Sequence, residues 1–106
     1  MNIADILREN NILFIREYSF NDLLGKDNHP YRFDFFLPDY NRLIEFDGEQ
    51  HYQNSSWSKL EEVKIRDENK NKYALSNNID LVRIPYWQRN NITIDMLLGD
   101  KYLVKE

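Results

Sequence analysis

Two short segments, Tyr31 to Leu37 and Arg42 to Gly48, are separated by Pro38-Asp39-Tyr40-Asn41. Those four residue types belong in a tight turn, so the segments form a β-hairpin. A strand with one wet face alternates apolar and polar side chains. Here Phe33, Phe35, Phe36 and Leu37, together with Leu43, Ile44 and Phe46, leave neither face polar. Such a hairpin belongs at the centre of a structure, covered on two sides.

The rest of the chain supplies the cover. Ile3, Ile6 and Leu7 recur at helical spacing and stop at Asn10-Asn11, which predicts a short amphipathic helix over 2–10. Ile12 to Phe20 is β-branched and aromatic and reads as a strand, followed by a polar loop with Gly25, Asp27, Asn28 and Pro30. Residues 49–58 are polar and lead, with Ser58 as N-cap, into a long charged helix that ends at Asn77-Asn78. Ile79 to Pro85 is the last strand, and residues 92–98 form a closing helix stopped by Gly99. The order is helix, three-stranded antiparallel meander, helix, strand, helix: an α/β fold with a mixed central sheet. At 106 residues the chain is one domain, 1–106.

Composition narrows the function classes. With 42% hydrophobic and 14% aromatic residues and only three Gly and three Pro, the chain is a packed globule and not a disordered segment. The absence of cysteine excludes disulfides and thiolate metal sites, and nothing requires an oxidising compartment, so a cytoplasmic location is expected. No run approaches the ~20 apolar residues of a membrane span. A net charge of −4 argues against a general nucleic-acid-binding module. The charge is uneven, however: Lys59, Lys64, Arg66, Lys70 and Lys72 lie close together, and a bound cation among the acids would invert the local sign.

If residues 38–41 form a symmetric loop, Leu37 faces Arg42 and Asp34 stands opposite Glu45. Like charges so placed, with Cβ atoms about 5 Å apart, are destabilising unless something compensates. A divalent cation such as Mg²⁺ does so, since it is commonly held by one or two carboxylates and keeps waters for substrate phosphate. The plain alternative is that both acids are solvated on an exposed face. The same register sets Arg32 opposite Asp47, giving Asp47 a structural partner. Asp67 falls on a helical stripe with Leu60, Val63, Asn71 and Ala74 that should face the sheet, unless that helix is exposed or frayed. His51 follows the acidic strand closely enough to reach a phosphate and act as general acid or base, whereas His29 is a surface-loop histidine.

The strings Arg32-Phe33-Asp34-Phe35, Ile44-Glu45-Phe46-Asp47-Gly48-Glu49-Gln50-His51-Tyr52, Arg66-Asp67 and Leu81-Val82-Arg83-Ile84 resemble the PD-(D/E)XK nuclease superfamily. The likeness is to its branch of very-short-patch repair and phage homing endonucleases. It implies a restriction-endonuclease-like core and a metal-dependent DNA endonuclease, phage-encoded or otherwise intracellular. On that likeness Asp34 and Glu45 hold Mg²⁺, for which Mn²⁺ can substitute, and His51 moves the proton. Asp67 orients the histidine or supports the metal's waters, Asp47 and Gln50 stand behind these groups, and Lys64, Arg66 and Lys70 neutralise DNA phosphates. Two departures stand out. The superfamily's lysine two residues after the second acid is Asp47 here, so water activation rests on the metal and His51. The branch carries a first-helix glutamate, for which only Asp5, Glu9 or, beyond the helix, Glu17 are at hand. Sequence specificity would come from a homodimer or an additional DNA-recognition domain or subunit. The rival readings are a catalytically inactive nuclease-fold module for DNA binding or assembly, and a structural acidic protein that binds no nucleic acid.

Overall fold

A computed structural model of the protein describes residues 2–48 and 57–106. The elements run α1 (Ile3–Glu9), β1 (Ile15–Leu24), β2 (Pro30–Leu37), β3 (Arg42–Asp47), α2 (Trp57–Ser76), β4 (Asp80–Pro85) and α3 (Ile94–Leu98). The four strands form one sheet in the order β1-β2-β3-β4. β1, β2 and β3 are antiparallel neighbours, and β4 lies parallel to β3. This is the expected α/β fold with a mixed sheet.

The hairpin sets the register. Pro38–Tyr40 form a single 3-10 turn that Asn41 closes in the left-handed region, at φ 48°, a conformation asparagine tolerates better than most residues. Leu37 therefore pairs with Arg42, Phe36 with Leu43 and Phe35 with Ile44. Both faces of the hairpin are covered. On one side Phe35, Leu37, Ile44, Val82 and Ile84 pack against Ile3, Ala4, Ile6 and Leu7 of α1 and Leu97 of α3. On the other, Phe33, Leu43 and Leu81 pack with Leu23 and with Ala74 of α2. Leu7, Phe33, Leu37, Leu43 and Ile44 are fully buried, and each such side chain contributes roughly 1.5–3 kcal/mol of transfer free energy. Asn2 caps α1 by accepting the Asp5 amide at 2.9 Å, and Thr93 caps α3 by accepting that of Met96 at 3.3 Å.

Three boundaries differ from expectation. β1 begins three residues later and continues through the polar Asn21-Asp22, because Leu23 is buried at its far end and the Tyr73 hydroxyl donates to Asp22 at 2.6 Å. Ser58 is the second residue of α2 and not its N-cap. After α3 the chain returns to β4, where Leu103 bridges Val82 and the amide of Val104 donates to the Leu81 carbonyl. Among the described residues no helix is long and apolar enough to cross a membrane.

Candidate active site

Backbone pairing between β2 and β3 ends at Phe35 and Ile44, and the same register brings Asp34 and Glu45 to facing positions one step further on. There the amide of Phe46 donates to Asp34 Oδ2 at 2.7 Å, so a carboxylate takes the amide where the ladder stops. The two acids are near enough that Asp34 adds to the upward push on the Glu45 pKa. Burial is the main cause of that push, and the positive charge and hydrogen bond of Lys70 oppose it.

Lys70 is where the structure corrects the sequence reading most sharply. It is not a surface contact for phosphate. It is buried, and its Nζ donates to Glu45 Oε1 at 2.8 Å and to the Arg32 carbonyl at 2.6 Å, 5.0 Å from the centre of the Phe33 ring. The expected inward stripe of α2 is half right, since Ala74 is buried, but Lys70 shares its face at a spacing of four. The signal was that spacing. It was masked because a lysine stem is normally read as reaching for solvent.

Arg83 governs the next pair of acids. In the parallel register it pairs with Glu45, and its guanidinium donates to Asp47 Oδ1 at 2.9 Å, to Asn71 Oδ1 at 2.9 Å and to the Asp67 carbonyl at 3.4 Å. The arginine bonded to Asp47 is thus Arg83, where Arg32 was expected. Asp67 does face the sheet, where its carboxylate lies 3.6 Å from both Arg83 and Arg66. Asp47 and Asp67 are held by arginine across the interface between α2 and β4. Neither lines the cavity described next.

Asp34, Glu45, Lys70 and Arg66 share a cavity of about 670 Å³ that also reaches the N-terminal turn of α1. Lys70 occupies one Glu45 oxygen and the Phe46 amide one of Asp34, which leaves Asp34 Oδ1 and Glu45 Oε2 without a partner among the described residues. Two carboxylate oxygens, with the remaining positions left to water and phosphate, suit a hard octahedral cation such as Mg²⁺. Among the described residues no group of three or more metal-ligating side chains occurs. Of the stand-ins for a first-helix glutamate, Glu17 lines the cavity, and it does so from a left-handed backbone with φ 52° near the start of β1. Asp5 is paired with Arg8 on the surface and Glu9 is exposed. Lys64 is exposed on α2 and does not line the cavity. Gln50 and His51 lie outside the described residues.

Comparison of the chain with family models, curated proteins and solved structures finds no match.

Proposed function

We propose that this chain is a metal-dependent DNA endonuclease on a restriction-endonuclease-like core, similar to the PD-(D/E)XK nucleases. The observation that carries the reading is the pair Asp34 and Glu45. They stand at facing register positions where the central hairpin stops pairing, each with one oxygen that has no partner among the described residues, in a cavity that also contains basic side chains.

Asp34 Oδ1 and Glu45 Oε2 would hold Mg²⁺ or Mn²⁺. When bound, such a cation neutralises phosphate charge and makes water more acidic. The remaining work falls to the chain. The Phe46 amide and Lys70 each fix one carboxylate, so the free oxygens are oriented before substrate arrives. Lys70 also brings a positive charge to the second acid from α2, in a chain whose third residue of the motif is Asp47. A water oxygen attacks phosphorus in line, the bond to the leaving oxygen breaks, and one proton must leave the water while one reaches the leaving group. His51, four residues past Asp47, is assigned that proton transfer.

The test is cleavage of supercoiled plasmid with Mg²⁺ or Mn²⁺, beside Asp34→Asn and His51→Ala proteins and an EDTA control. Nicked or linear product that EDTA and Asp34→Asn abolish supports the nuclease. Intact plasmid at high concentrations of folded protein, with DNA still bound, replaces it with the non-catalytic DNA-binding module.

A further inference from the structure

The chain has seven arginines and an excess of acids. Arg8, Arg42, Arg66 and Arg83 pair with carboxylates. Among the described residues Arg16, Arg32 and Arg89 pair with none, and all three line the cavity that contains Asp34 and Glu45. In a chain with 18 acidic residues against 14 basic ones, uncommitted arginines gathered in one place need a reason. They come from β1, from β2 and from the segment after β4, so no local sequence preference brings them together.

Two of them are also held in place without losing their charge. The Arg16 guanidinium lies 5.5 Å from the centre of the Phe35 ring, and that of Arg89 lies 5.9 Å from the Tyr86 ring while donating to the Tyr86 carbonyl. An aromatic face orients a guanidinium but leaves its planar donors for an anion. All three side chains belong to exposed residues.

We infer that this cavity takes the backbone of a single nucleic-acid strand, whose phosphates are neutralised by Arg16, Arg32 and Arg89 and not by the exposed lysines of α2. The inference rests on the proposed nuclease reading for the identity of the polyanion. A volume of about 670 Å³ admits one backbone and its sugars, and a duplex would lie across the opening with one strand in it. Arg16 and Arg32 come from neighbouring strands of the sheet and Arg89 from beyond β4, and all three line the cavity that holds the carboxylate pair.

The experiment is DNA binding in EDTA, where no cleavage occurs, with a fluorescent duplex oligonucleotide and the affinity measured as salt is raised. Each phosphate contact contributes about 0.9 to the slope of log affinity against log salt on duplex DNA. The protein with Arg16→Gln, Arg32→Gln and Arg89→Gln together should lose about 2.7 from that slope. The protein with Lys59→Gln, Lys64→Gln and Lys72→Gln should keep it. Because the three arginines are exposed, thermal unfolding should show both proteins folded. An unchanged slope in the arginine variant, or a loss carried by the lysine variant, overturns the inference. So does the absence of DNA binding. Plasmid cleavage is scored separately: cleavage with an unchanged arginine slope sinks this inference alone, and arginine-dependent binding without cleavage sinks the nuclease reading alone.

Discussion

Strand β3 carries a buried arginine at its start and buried acids, Glu45 and Asp47, in its second half, and the two halves are built differently. At its start, Arg42 donates to the carbonyls of Leu97 and Gly99 at 2.9 and 2.8 Å and to Asp80 at 3.0 Å, with Asp100 at 3.7 Å. Of the Arg42 nitrogens, only Nε has no hydrogen-bond partner among the described residues. The acids there face water, with side chains 45% and 72% exposed, so the surplus negative charge is screened. Towards the other end, the Glu45 side chain is only 11% exposed and lies beside Asp34; Lys70 donates to Glu45, and Asp34 takes only the Phe46 amide among the described residues. One end closes its polar groups on the protein. The other, among the described residues, leaves two carboxylate oxygens without a partner, where burial makes that costly. Such an imbalance marks a position arranged for something other than stability.

Arg83 lies next to the second end and should show the largest effect. Replacing it by Met leaves Asp47 and Asp67, both largely withdrawn from water, without their shared cation. Removing one partner of a buried pair costs about 3–5 kcal/mol, and urea unfolding should show a loss in that range. Arg42→Met should cost somewhat less, about 2–4 kcal/mol, since it strands two carbonyls but leaves Asp80 partly in water. If the two variants were ranked the other way, the contrast between the ends of β3 would lose its basis.

Lys70→Met sharpens the comparison through pH. Burial raises the Glu45 pKa in the folded protein, so the folded state holds that proton to higher pH than the unfolded chain does. Its stabilising share is complete below the ordinary glutamate value and is lost as pH rises through the raised one. Removing Lys70 removes the main opposing influence, so the penalty of the variant should be larger at pH 8 than at pH 5. Arg42→Met should show a smaller dependence between the same two values. Paired urea titrations at both pH values decide this, and equal penalties for Lys70→Met at pH 5 and pH 8 would count against a buried, proton-accepting Glu45.

The smallest effect is the one most specific to the site. Mg²⁺ at ten times its dissociation constant should stabilise the wild-type protein by about 1.4 kcal/mol, a rise in melting temperature of roughly 5–10 °C. Asp34→Asn should abolish the rise and Arg42→Met should retain it. A Mg²⁺ shift that survives Asp34→Asn would place any cation elsewhere.

Much of this was legible in the residues and some was not. The hairpin, its turn and its register followed from Pro38 to Asn41 and from apolar residues on both faces, and so did the meeting of Asp34 and Glu45. β1 was displaced because Asn21-Asp22 reads locally as loop, while the burial of Leu23 and the hydroxyl of Tyr73 keep the strand going. Lys70 was misassigned, and Arg83 was passed over in favour of Arg32 as the partner of Asp47, for a common reason. Their partners are 25 and 36 residues away, and contact depends on how α2 is rotated against the sheet and where β4 docks.

By itself the sequence determined the elements and the pairing of β2 with β3, because periodicity and turn chemistry act over a few residues and a register slip would turn every side chain to the wrong face. It also determined that two acids would face each other there. Only the tertiary structure decided which cation answers Glu45, which arginine holds Asp47, and that Arg16, Arg32 and Arg89 gather around one cavity. Those outcomes depend on packing between segments far apart in the chain, and no local pattern of residues encodes the distance between them.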